Sequence, residues 1–271
     1  MPEFRHRQTS VHYRWVDSRR AGDDSAPVDS APVLVLSHSL GSDSAMWQPQ
    51  RDALAGQFRI LLYDHPGHGQ SAARPASESP VPIARYGEEL LALLDHVEIP
   101  RVHFCGLSLG GMVGQWLGAN APERLDRLVI SNTAAVIEEK ELLRARIDQI
   151  RSEGLSSIVE NVIEKWFSPA HRSARPESCR LAREMLSRTT AAAYADTAET
   201  VCALDLRPSL PKIRVPTLVI GGSEDDATPP QWNRAIAEQI PGARWRLLPA
   251  AHLSNIEAAA EFNAALLQFL R

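Results

Sequence analysis

The sequence predicts an α/β protein: a mostly parallel central sheet with helices on both faces and an inserted helical lid. Three observations predict it. Short continuous apolar runs, such as 33–36 and 59–63, alternate with amphipathic stretches, as strands covered on both faces and joined by crossover helices do. The alternation stops near residue 137 and resumes after Pro216, with only helical patterns between. The chain has 271 residues, 44 % of them hydrophobic, which suffices for one such domain plus an insertion.

Residues 11–16 alternate like a half-buried strand and pair with the stretch near Phe4. Residues 17–30 are polar and rich in Ala, Asp and Ser, the composition of a surface loop. A crossover helix over 46–57 joins the strands at 33–36 and 59–63. Ile83, Tyr86, Leu90, Leu94 and Val97 mark one helical face. A buried strand at 102–105 precedes a helix from Met112 to Asn120, stopped by Pro122, and another strand follows at 128–130. In the helical segment, Leu142, Leu143, Ile147 and Ile150 form one apolar stripe, and Ile158, Val159, Val162, Ile163 and Trp166 a second. Strands at 218–220 and 246–248 then enclose a helix over 231–239, and Phe262, Leu266 and Phe269 mark a terminal helix. The expected division is 1–136 as the first part of the core, 137–210 as the lid, and 211–271 as the second part. A lid there covers the carboxyl ends of the strands, where open α/β sheets bind ligands.

A formal net charge of −4 and the lack of a one-sided Lys/Arg cluster argue against a nucleic-acid partner. No run approaches the about 18 apolar residues of a membrane span. The first residues carry no basic segment followed by an apolar one, so no secretory leader is expected. Cys105, Cys179 and Cys202 are odd in number and lack metal-ligand spacing, so reduced thiols and a cytoplasmic location are expected.

The chemistry centres on Gly106-Leu107-Ser108-Leu109-Gly110, between an apolar strand and a helix. Glycines two residues either side of a serine allow a strand-to-helix turn so tight that it lifts the serine Oγ above the sheet, at the positive end of the helix. Alone the pattern is weak and describes many glycine turns. Here two further loops follow apolar strands at the same sheet edge, in the order acid then histidine: 222–229, with Glu224, Asp225 and Asp226, and 251–253, with His252. A serine nucleophile needs such a base, and the base an orienting carboxylate. Consecutive acids on a loop point apart, and Asp225, which completes Gly-x-x-Asp from Gly222, is the expected partner of His252. Backbone N–H groups of Leu109 and Leu40 are the expected oxyanion donors, with Gly41 letting its loop turn in close. Ser39 and Trp166 are candidate substrate contacts. Asp64, His65 and His68 lie in a Pro- and Gly-containing turn and are read as that turn rather than as metal ligands. No metal or cofactor is expected. Lid arginines 144, 146, 151, 180, 183, 188 and 207 are accompanied by many acids, and no one of them stands out as an anion ligand.

The order of these motifs resembles the α/β-hydrolase superfamily over essentially the whole chain. Within it, the segments 104–111, 131–135, 205–208, 227–230 and 251–257 are most similar to the 3-oxoadipate enol-lactone hydrolases of aromatic catabolism. The resemblance implies Ser108 as nucleophile, Asp225 as orienter, His252 as base, and a small lactone or ester as the partner molecule. Pro66 stands where that family usually has arginine, and His38 where asparagine is common. A general carboxylesterase, a perhydrolase or haloperoxidase-like enzyme, a carbon–carbon bond hydrolase and a non-enzymatic receptor are the alternative uses of the same scaffold. The sequence is compatible with a homo-oligomer.

Overall fold

The computed structural model describes residues 3–16, 31–78 and 80–271; the polar stretch 17–30 lies outside them. Eight strands form one sheet: β1 (Glu3–His6), β2 (Thr9–Val16), β3 (Val33–Ser37), β4 (Arg59–Tyr63), β5 (Val102–Leu107), β6 (Leu125–Ser131), β7 (Thr217–Gly222) and β8 (Arg244–Leu248). Their order is β1-β2-β4-β3-β5-β6-β7-β8. The pairs β1/β2 and β2/β4 are antiparallel, and every later pair is parallel.

Alternation along β3 divides the core in two. Leu34 and Leu36 pack with α1 (Gln48–Leu54) and the terminal helix Ala259–Leu270. Val33 and Val35 face α2 (Ile83–His96), α3 (Leu109–Asn120) and α9 (Pro230–Gln239). The crossover expected over 46–57 is shorter: a 3-10 turn at Ser44–Trp47 leads into α1, with Pro49 in its first turn. The elbow helix is longer, opening at Leu109 rather than Met112, because Gly110 and Gly111 belong to the helix and not to a loop before it.

Between β6 and β7 the chain forms α4 (Lys140–Glu153), α5 (Val159–Trp166), α6 (Pro169–Ala174), α7 (Pro176–Ser187) and α8 (Ala191–Ala203). The two stems of this insertion lie side by side, joined by a bridge between Val136 and Asp205 and by the Leu206 N–H donating to Ala135 O at 2.7 Å. Thr200 Oγ1 donates to Val81 O at 2.7 Å, and Arg188 meets the buried Asp43 at 2.7 Å, so the helices are fastened to the core. One expected stripe is only half right. Ile147 and Ile150 are buried, whereas Leu142 is 68 % exposed.

The strand order changes direction between β3 and β5: the chain runs outward through β4 on one side and through β6 to β8 on the other. The loops after β3 and β5 therefore meet at the carboxyl edge, and the Gly110 N–H donates to His38 O at 3.1 Å.

Candidate active site

Ser108 sits between β5 and α3 with φ +57°, ψ −113°, a strained conformation for a residue with a side chain. The flanking glycines are what make the turn closable. A Cβ at Gly106 would lie 2.1 Å from Gly110 O, and one at Gly110 2.2 Å from Ser37 O. The strain is held by the Ser108 N–H donating to Ser131 O at 2.9 Å and by Thr133 Oγ1 donating to Ser108 O at 2.7 Å. Removing the Thr133 hydroxyl leaves the Ser108 carbonyl with the Met112 N–H, at 3.0 Å, as its remaining donor. Thr133→Val should therefore cost about 0.5–1.5 kcal/mol in urea unfolding, the net worth of one hydrogen bond.

The loop after β7 carries Asp225, which is 2 % exposed. Its carboxylate accepts His252 Nδ1–H at 3.0 and 3.1 Å. It also accepts the N–H groups of Ala227 and Thr228 at 2.9 and 2.8 Å, Thr228 Oγ1 at 2.8 Å and Asn132 Nδ2 at 3.0 Å. Burial pushes this carboxyl up, but the facing imidazole and these donors outweigh it and hold the group below the usual carboxylate range. Asp226 instead has an 81 % exposed side chain 3.8 Å from Lys165 Nζ, at the border of the cavity.

Ser108 and His252 border one cavity of about 260 Å³. Ser39, Leu40 and Trp166 line it as well, as do Arg146 and Lys165 from α4 and α5. On the loop after β3, the Ser39 N–H is taken by Met46 Sδ at 3.4 Å, and Leu40 follows it at the cavity border. Leu109 opens α3, where an N–H has no acceptor within the helix. Gly41 has φ +75°, and a Cβ there would meet the Tyr194 ring at 2.6 Å, so the glycine lets α8 close over this loop.

Of the seven lid arginines, Arg151, Arg183, Arg188 and Arg207 are paired with Glu199, Glu160, Asp43 and Asp205. Arg146 is the one of the seven that reaches the cavity, where it interacts with the buried Tyr194 hydroxyl.

Three supporting residues lie in segments that carried the family resemblance, but sequence reasoning assigns none of them a role. Asn132, at φ +42°, donates to Asp225 and accepts from Ser131 Oγ at 2.7 Å and Ser254 Oγ at 2.6 Å. Thr228 holds the Asp225 carboxylate. Glu257 accepts the Ala251 N–H at 3.1 Å and the Ser168 N–H at 3.2 Å, and it bonds the Ser168 hydroxyl. It thereby ties the histidine loop to the end of α5. A polar residue at the end of an apolar strand was the available clue to Asn132.

His38 departs from the common asparagine and has a defined job. Its Nδ1–H donates to Ser39 O at 2.8 Å, and its Nε2 accepts the His65 N–H at 2.8 Å, so it is neutral and pins the loop after β3 to the turn after β4. The rings of His65 and His68 lie 4.4 and 5.5 Å from it. Burial lowers all three, with Asp64 and Asp43 opposing the shift at His38, while repulsion from His38 lowers His65 and His68 further, His68 to about 3. Among the described residues no group of three or more His, Cys, Asp or Glu is arranged to hold a metal ion.

Because the folded-state values lie below the unfolded one, the histidines' contribution to stability is complete above about pH 6.5 and is lost as pH falls, for His68 toward 3. Within its window His68 adds a slope of up to about 1.4 kcal/mol per pH unit. Urea unfolding between pH 7.5 and 4.5 should show stability falling with acid, and His38→Asn should make the slope shallower. A flat profile in both proteins would contradict this.

The arrangement places Ser108 and a buried imidazole–carboxylate pair at one lined cavity, groups of the kind that acyl transfer uses. A family model described as the alpha/beta hydrolase fold matches residues 32–259. The chain belongs to the α/β-hydrolase family. Within that family it is 36 % identical over 234 residues to 3-oxoadipate enol-lactonase 2 of Acinetobacter baylyi, covering 86 % of each chain. With 3-oxoadipate enol-lactonase 1 of the same organism it shares 34 % identity, over 94 % of this chain and 95 % of the other. The crystal structure of an enol-lactonase from Burkholderia xenovorans LB400 superposes with a TM-score of 0.91 at 39 % identity, over 99 % of both chains. Among the described residues of this α/β-hydrolase, no helix is long and apolar enough to cross a membrane.

Proposed function

We propose that the protein is a serine-dependent lactone hydrolase that opens a small carboxylated lactone, 3-oxoadipate enol-lactone being the favoured substrate. The observation that carries the reading is a single cavity bordered by Ser108, His252 and the lid cation Arg146. The enol-lactonase relatives support the lactone class.

In the proposed reaction Ser108 Oγ attacks the ring carbonyl while His252 Nε2 accepts its proton. The oxyanion is held by the Leu40 and Leu109 N–H groups. The ring C–O bond breaks, and the departing enolate takes the proton from His252 and becomes the ketone. Because the ester is cyclic, the whole substrate stays attached as an acyl-enzyme. A water molecule, deprotonated by His252, releases the keto acid and restores Ser108. Arg146 orients the substrate carboxylate, and Ser39 and Trp166 border the bound ring. The three free, buried thiols suit a reducing, cytoplasmic setting.

A spectrophotometric panel of enol-lactone, simple lactones and neutral aryl esters tests the reading. The carboxylated enol-lactone should have the highest kcat/KM. Arg146→Ala should lower kcat/KM for it by roughly tenfold to a hundredfold, through loss of a charged hydrogen bond, and leave neutral esters nearly unchanged. Equal or better turnover of a neutral ester by the wild type would make the protein a general carboxylesterase, a use that the apolar rim of Leu142 and Leu143 would suit.

A further inference from the structure

Against the α9 side of the substrate cavity lies a second cleft of about 210 Å³. Ala135, Val136, Ala235 and Ile236 give it an apolar lining, and Glu138 and Arg207 also border it. Among the described residues Trp232 alone lines both spaces. The segment between them alternates: Ala135, Val136 and Glu138 face the cleft, whereas Ile137 and Glu139 face the cavity. The 135–139 segment and the Trp232 indole are therefore the common border of the two spaces.

The backbone half of this partition is fixed by the Val136–Asp205 bridge and the Leu206-to-Ala135 hydrogen bond. Arg207 is engaged by the Asp205 carboxylate at 2.6 and 2.9 Å, so its charge is compensated. The indole is the part of the wall that a single substitution can remove.

We propose that Trp232 is a size-selecting residue: it ends the substrate cavity and excludes substrates whose apolar chain would otherwise extend into the cleft behind it. The proposal rests on the ester- and lactone-hydrolase reading above. A packed indole resists displacement, while apolar space opened behind it rewards each added methylene.

The test is the chain-length profile of p-nitrophenyl esters from acetate to decanoate, measured as kcat/KM. The wild type should prefer the short esters. In Trp232→Ala the ratio of octanoate to acetate should rise by roughly tenfold or more. Trp232→Leu should shift the profile less, in the same direction, and serves if the alanine variant folds poorly. Adding Ala235→Phe to Trp232→Ala refills the cleft and should restore the short-chain preference. An unchanged profile in both single variants, with turnover intact, overturns this proposal and leaves the hydrolase reading standing. Failure of the wild type to turn over any ester or lactone overturns both.

Discussion

Ser108→Ala should abolish turnover of every lactone and ester, with a loss of about 10⁶ in kcat by analogy with removal of a triad serine in another hydrolase. The loss should be chemical, not conformational. Ser108 contributes its backbone to the strained turn through bonds to Ser131 and Thr133, and alanine keeps both. Alanine at φ +57° carries the same Cβ strain as serine, so urea unfolding should change little. A folded Ser108→Ala protein with near-normal kcat would remove the acyl-enzyme from the account.

Asp225→Asn and Asp226→Asn should differ by orders of magnitude although the residues are adjacent. The carboxylate of Asp225 accepts hydrogen bonds from His252, Asn132, Thr228 and Ala227 and donates none. An amide there would face donors with its own NH₂ and favour the wrong imidazole tautomer. The loss of kcat should be about 10⁴, as in the serine-protease precedent, accompanied by lower stability. The Asp226 side chain is 81 % exposed and has only a loose contact with Lys165, so Asp226→Asn should stay within about twofold of wild type. Steady-state kcat at a temperature where both variants are fully folded decides the matter. A crippled Asp226→Asn beside a healthy Asp225→Asn would move the orienting role by one residue.

Much of this site is written in local signals. The tight turn at Ser108 needs glycine at 106 and 110 because backbone atoms occupy the space of their side chains, and such a demand is visible as a motif. The loops bearing Asp225 and His252 follow β7, marked by its apolar run, and β8, which mixes arginines with Trp245, Leu247 and Leu248. The two strands pair in parallel, so both loops leave one sheet edge. What stayed hidden depends on contacts between distant segments. His38 meets His65 across 27 positions, and Asn132 meets Asp225 across 93, so neither partnership leaves a local pattern. Glu257 reaches Ser168 from 89 positions away. The sequence pattern places the start of α3 at Met112, three residues late, because two glycines resemble a loop. Here they permit close packing, since Gly111 lies against Thr133. Periodicity groups Leu142 with Ile147 and Ile150, but only the latter two are buried, and Leu142 stands at the rim of the cavity. The same limit applies to Arg146, whose inward placement depends on how α4 docks and not on its own neighbours.

Ser108 is the proposed nucleophile of this cavity, and every other assigned role depends on it. Labelling the purified protein with a fluorophosphonate, followed by peptide mass mapping, tests it most directly. The label should fall on Ser108 alone, in step with loss of hydrolysis, should be absent in Ser108→Ala, and should be slowed by orders of magnitude in Asp225→Asn. Inactivation with the label on another residue, or full lactone turnover by protein labelled at Ser108, would contradict it.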